Sequence, residues 1–277
     1  MRCRYADGWG KGEGECFDAL VQPAVNYIAE NNTLLRKVVT GAEDPKVLAF
    51  RPPGATQAEE YPLVAFNSLP PSNLAPGSAA SGVGGHSQMF LYRPLDKGVN
   101  HAVRLKCGQS AGDEKNWIAF RHQTAGLLFV YSVYPHVVVQ ARDEDGSCIR
   151  RWSTNHAPLL LASIEAKAEI HGSGTATFVP SSRSKHEGGH FIALLHFVTK
   201  GGVYTTMAYE FAAAPPFGVL RVSRPLPLLS HTRAFASGLM LLPDKEKVVV
   251  TYGVQNEESR LLIMAMGDFE NLFECDG

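Results

Sequence analysis

The sequence predicts an all-β fold, and three observations predict it. Short apolar runs rich in β-branched and aromatic residues recur along the chain, each flanked by Gly, Pro, Asp or Asn. Glycine (26 residues) and proline (17) are plentiful while charged residues reach only 19%, a balance that suits tight turns better than helices. Apolar spacing of 3.6 residues is confined to two short stretches, "LLASIEAKAEI" and "GDFENLFE", each good for a turn or two.

Four runs stand out: "YPLVAFNS" from Tyr61, "GLLFVYSV" from Gly126, "HFIALLHF" from His190 and "KVVVTYGV" from Lys247. Each is preceded by a strand-like stretch, in order "DPKVLAF", "NWIAFRH", "TATFVP" and "SGLMLLP". Each is followed by another: "SQMFLYRP", "HVVVQAR", "YTTMAYEF" and "SRLLIMAM". Two units are closed by a fourth strand, "HAVRLK" and "GVLRVS". The anchor residues Asp44, Asn116, Ser173 and Ser237 lie 72, 57 and 64 residues apart. Antiparallel meanders repeating at this spacing read as the four-stranded blades of a β-propeller. A sandwich also has regularly spaced strands, but Greek keys need long crossovers that interrupt the turn-strand-strand order.

The predicted organisation is one propeller domain over residues 1–277, with a flexible low-complexity insertion at residues 69–87, "LPPSNLAPGSAASGVGGHS". Before the first full unit, "QPAVNYIAENNTLLRKVV" reads as the outer strands of a blade whose inner strands should lie upstream, where "ADGWGKGEGEC" is Gly-rich. The first blade is therefore expected to be incomplete.

A net charge of −1 offers no electrostatic reason for a nucleic-acid or anionic-membrane partner, and neither is expected. The five cysteines (Cys3, Cys16, Cys107, Cys148, Cys275) make no C-x-x-C pair and read as reduced thiols. The start of the chain lacks the apolar core of a signal peptide, and no apolar stretch is long enough for a membrane helix, so a soluble cytoplasmic protein is expected.

Candidate site residues come from the strand entrances. In "GAEDPKV", Asp44 precedes a proline, which disfavours helix and opens an extended segment. Asp and Pro are ordinary turn residues, so a structural reading suffices. The functional reading comes from architecture. A carboxylate at the start of an inner strand lines the mouth of the funnel, where burial beside Glu43 would raise its pKa and let it hold a proton. At the next entrance, Lys115, Asn116 and Trp117 could bind an anion, a sugar hydroxyl and a sugar face; the plainer reading is a surface lysine, a capping asparagine and a core tryptophan. His196, within "ALLHFV" near the end of a middle strand, is either a hydrogen-bonded core residue or part of a polar rim with Asn67, Ser132 and the Tyr252 region. "YGVQNEESRL" supplies Asn256 and Glu257, as a sugar-contacting tip or as a polar hairpin with a local ion pair involving Arg260.

"HEGGH" (His186 to His190) matches H-E-x-x-H literally, but that zinc chemistry needs both histidines on one helical face. Two glycines in the middle and a β-run immediately after make it a hairpin turn, and no metal is predicted.

In order, "GAEDPKV", "EKNWIAF…LLFVYSVYPHVV", "GSGTATF…ALLHFV", "FASGLMLLP" and "VVVTYGVQNEESRL" resemble the five-bladed β-propellers of the β-mannoside phosphorylases (glycoside hydrolase family 130) and the related β-1,2-mannosyltransferases. The resemblance runs from Val21 to Phe273. It implies five four-stranded blades, with Asp44 as general acid and Lys115 holding phosphate or the acceptor. Arg93 and Arg104 fall in the interval of the family's phosphate-gripping arginines. The chain departs from the pattern at Lys46, where the family has arginine, at Ser132, where a phosphate-contacting histidine is expected, and at Asn256, where an acid is usual. Weakened phosphate ligands fit a transferase better than a phosphorylase.

The expected function is thus inverting glycosyl transfer of a mannosyl-type sugar, with a sugar or oligosaccharide substrate, inorganic phosphate or a sugar phosphate as further partner, and no cofactor. The alternative is a non-catalytic glycan-binding or scaffold propeller, or a fragment of a larger glycosyltransferase.

Overall fold

The computed structural model describes residues 43–273 apart from 57–58, 69–86, 94–101, 108–112, 167–168, 181–185, 187, 199–202, 230–232, 243–245 and 256. The segment expected to form an incomplete first blade lies outside them, as do the insertion except for Ser87 and the candidate Asn256.

The described chain is all-β, built as four successive meanders. The first holds β1 (Glu43–Phe50), β2 (Tyr61–Ser68), β3 (Gln88–Tyr92) and β4 (Val103–Arg104). The second holds β5 (Ile118–His122), β6 (Gly126–Ser132), β7 (His136–Ala141) and β8 (Cys148–Thr154). Helix α1 (Ala157–Ala166) leads to the third, β9 (Ile170–Val179), β10 (His190–Val198), β11 (Tyr204–Ala212) and β12 (Val219–Pro225). The fourth has three described strands, β13 (Ala234–Leu241), β14 (Lys247–Val254) and β15 (Glu258–Ala265), followed by α2 (Met266–Asn271). Within each meander, neighbours in sequence are neighbours in the sheet, with none of the long crossovers of a Greek key among the described strands. One parallel bridge, Ala119 to Thr175, joins β5 to β9 and merges the second and third meanders into an eight-stranded sheet. Among the described residues, no helix is long and apolar enough to cross a membrane.

The continuous apolar runs of the first three sheets have a simple cause: their inner strands are covered on both faces, so alternate residues enter different cores. Leu63 and Ala65 of β2 join Ala119, Phe129 and Val139 between the first and second sheets. Val64 and Phe66, one residue on, enter a separate cluster with Phe90 and Tyr92. Ile118, Phe120 and Leu128 meet Phe191, Ala193 and Leu195 between the second and third sheets. Ile192 and Leu194 face the other way, onto Ala234, Ala236, Val248 and Val250 of the fourth, with Phe269 of α2.

The first strands of the meanders gather at the centre: β1 contacts β5, β5 contacts β9, β9 contacts β13, and β13 contacts β1. Close approach is enforced by small residues. A Cβ on Gly174 would stand 3.1 Å from the backbone of Gly238, so β9 and β13 meet where neither has a side chain.

Three details differ from the sequence reading. Strand β8, "CIRRWST", is missed because it is a mostly exposed strand with two consecutive arginines. Strand β9 starts at Ile170, five residues before "TATFVP", because Gly172 and Gly174 interrupt its apolar signal without ending the strand. Asp44 is not extended: its φ is 48°, within a bulge between Glu43 and Lys46. The cysteine spacing also hides a contact, since Cys148 lies beside buried Cys107 and adds to the effect of burial in holding that thiol above the ordinary range.

Candidate functional site

Three of the four first strands carry a register irregularity. β1 is bulged after Glu43, β9 is irregular opposite Ile192 to Leu194, and β13 is bulged between Ala236 and Gly238. Asp44 and Asn116 (φ 62°) both take the left-handed conformation, which costs most L-residues ~1–2 kcal/mol and is best tolerated by Asp, Asn and Gly. Lys46 Nζ reaches the Trp117 carbonyl, and a Cβ on Gly172 would collide with the Asn116 carbonyl, so the starts of β1, β5 and β9 lie close together. The register agrees: β10 ends at this side, with His196 opposite His171.

At the centre sits Lys46, only 2% exposed. Its Nζ donates to the Trp117 carbonyl at 2.7 Å, tying β1 to the entrance of β5. Burial pulls its pKa down to about 8 against the opposing attraction of Asp44, which favours the ammonium. His196 is also buried, and Ser173 Oγ lies 2.8 Å from its Nδ1. Burial, followed by the neighbouring His171, Lys46 and Lys115, lowers its pKa to about 3, so the ring is neutral at physiological pH. Its faces are packed: His171 at 5.5 Å, Tyr204 stacked at 5.4 Å, and the edge-on ring of Phe235 at 5.1 Å. His171, half-buried and 3.8 Å from Glu169, is likewise lowered by burial.

Asp44, Lys46, Lys115, Asn116, His171, Ser173 and His196 therefore form one polar cluster. The remaining sequence candidates divide. Glu43 pairs through its backbone with Asn67, and its side chain lies outside the described residues. Trp117 cannot offer a face to a sugar: its ring is 2% exposed, edge-on to Phe129 and Tyr131 in the core, and its contribution is its carbonyl. Arg93 points elsewhere, bonded to Asp143 at 2.5 Å and lying over the Tyr61 ring, while Tyr61 pairs with Phe50 at the far end of β1. Arg104 is exposed on the outer strand β4 and donates to Gln88 at 2.8 Å. Glu257 is exposed at the β14–β15 tip, next to the Glu258–Arg260 ion pair. Asn67 donates to Ser87 at 3.2 Å and Ser132 donates to the Tyr134 carbonyl, so both are engaged locally. Tyr252 belongs to the core between the third and fourth sheets.

Sequence reasoning missed His171 and the burial of Lys46. The available signal for His171 was its place in β9, two residues before the anchor Ser173, on a strand that pairs with the one ending in His196.

"HEGGH" makes a turn, as expected: His186 and Gly188 lie in the connection, and His190 opens β10. Both histidines converge on the fully buried Glu210, His186 Nε2 at 3.4 Å and His190 Nε2 at 3.3 Å. Arg221 grips the same carboxylate with both arms, at 2.6 and 2.7 Å.

No family model matches the sequence, and no curated protein matches it. Among solved structures, the chain is similar to a hypothetical protein from Leishmania major, with a TM-score of 0.32 and 11% identity over 87% of this chain and 94% of that one. It is also similar to the Dos1 propeller, with a TM-score of 0.35 and 9% identity over 85% of this chain and 57% of that one.

Proposed function

We propose that the four meanders are blades of a five-bladed propeller of the β-mannoside phosphorylase and β-1,2-mannosyltransferase type, and that the protein performs inverting glycosyl transfer on mannosyl-type sugars. The observation that carries this reading is the convergence of Asp44, Lys46, Asn116 and His171 at the entrances of β1, β5 and β9. Asp44 is the general acid that protonates the departing glycosidic oxygen. An acceptor hydroxyl or phosphate attacks the anomeric carbon from the opposite face, so that the old C–O bond breaks as the new one forms with inversion. Lys46, a buried ammonium beside Asp44, positions it and offsets the carboxylate charge left once the proton has gone to the departing oxygen. Lys115, exposed at the rim, and Asn116 meet the acceptor or phosphate and a sugar hydroxyl. This mechanism calls on no metal or organic cofactor.

The test is product analysis with the purified chain, mannose-1-phosphate or GDP-mannose as donor, and mannose or oligosaccharides as acceptors. Extension is expected in the wild type and absent in Asp44→Asn. Activity should fall as the pH rises through about 8, and that limb should vanish in Lys46→Met. Product from Asp44→Asn at the wild-type rate overturns the role of Asp44.

One observation favours a second reading, a glycan-binding propeller without chemistry: the charge of Asp44 is attracted by Lys46 inside the protein. Under that reading Asp44→Asn leaves glycan affinity nearly unchanged and no donor is consumed.

A further inference from the structure

The opposite ends of the same strands border an open cavity of about 1040 Å³, at the upper limit of small-molecule sites. It lies where β1, β5 and β9 finish and β10 begins, the far end from Asp44. We infer that this cavity is a second ligand site, built for a small planar aromatic anion and independent of the glycosyl-transfer reading.

The charge comes from Arg51 and Arg121. Arg51 Nη2 donates to Glu60 at 3.2 Å, and Arg121 Nη1 lies 3.9 Å from the same carboxylate. One carboxylate between two guanidinium groups leaves a unit of positive charge on the wall. Arg121 is held in place by its Nε, which donates to the Arg51 carbonyl at 3.1 Å. Arg51 Nε is buried and makes no hydrogen bond to a described residue, so one donor on this wall is desolvated. Nearby His122 adds no charge. Its Nδ1 accepts from the Thr124 and Ala125 amides, which leaves Nε2 to donate to the Ala213 carbonyl at 3.0 Å, and burial lowers its pKa.

The apolar wall is aromatic. Phe178 is 45% exposed although its ring packs 5.3 Å from buried Phe191, so a large flat surface is presented to the cavity at no further ordering cost. Gly188 forms another part of the lining, and a Cβ there would meet none of the described residues within 4 Å. Fixed guanidinium groups beside an exposed ring select a molecule with an acidic group on a planar apolar body.

Isothermal titration of the full chain with naphthalene-2-sulfonate and with uncharged 2-naphthalenemethanol tests the assignment. The sulfonate should bind one to one, and the alcohol about tenfold or more weaker. Arg121→Gln should weaken the sulfonate about tenfold while sparing the alcohol, and Phe178→Ser should weaken both. If Arg121→Gln loses its cooperative melt, Arg51→Gln supplies the same comparison. A control on the exposed apolar helix, Leu161→Ser, should change neither probe. No saturable binding, equal affinity for the two probes, or sulfonate binding indifferent to the arginine variants overturns the assignment.

Discussion

The two ends of β10 adjoin ionisable groups that are buried in opposite ways. At the end where β10 begins, Glu210 is fully buried yet ionised: burial alone would raise its pKa, but donors from His190 and Arg221 hold it down to about 2. Arg221 is held in turn by Glu270 at 2.6 Å and lies over the Phe273 ring, which ties α2 to the third sheet. At the end where β10 finishes, Lys46 has one carbonyl and the attraction of Asp44, and burial wins. A saturated pair braces the fold. An under-compensated cation strains it, and leaves a group whose proton can be exchanged near neutral pH.

The largest effect should come from breaking the saturated end. Arg221→Met leaves Glu210 buried without its main partner and should cost about 3–5 kcal/mol in urea unfolding. Adding Glu210→Leu to that variant should recover most of the loss; a loss under about 1 kcal/mol would mean the two ends do not differ as described. At the strained end the sign reverses. Lys46→Met should be neutral or stabilising, by up to about 3 kcal/mol at pH 7, the free energy of a displacement from 10.5 to about 8. A marked destabilisation would show that the Trp117 contact outweighs burial.

The pH dependence sharpens the same contrast. The folded pKa of Lys46 lies below its unfolded value, so between about pH 8 and 10.5 the unfolded chain binds more protons, and wild-type stability should rise with pH relative to Lys46→Met. Glu210 behaves in the mirror sense. Its contribution is present above pH 4.5 and is lost as the pH falls toward 2, and this acid limb should be missing in Glu210→Gln. The smallest effect concerns the left-handed residue before β5: Asn116→Gly should gain up to about 1 kcal/mol in thermal unfolding by relieving its conformation, whereas Asn116→Val should lose a similar amount or more.

Strands buried on both faces were legible because alternation disappears from them. "YPLVAFNS" and "KVVVTYGV" coincide with β2 and β14 residue for residue. Strand β8 was not legible, since a mostly exposed strand has little apolar signal to read. At the site, Asp44 and Asn116 announced themselves as Asx residues before a β-run, and both prove to be left-handed. Lys46 did not, because a lysine in sequence reads as surface and only the approach of β5 buries it. For Trp117 the plainer of the two readings holds: an aromatic beside polar neighbours suggests a rim, but its ring lies in the core. Arg93 shows that an interval in sequence does not choose an end of a strand.

The bridge from Ala119 to Thr175 has a consequence for how the molecule breathes. It makes eight strands, from β8 at one margin to β12 at the other, a single hydrogen-bonded ribbon. Amides in β6 and β10 should therefore exchange with solvent in concert, as one cooperative foldon, while the first and fourth sheets open separately.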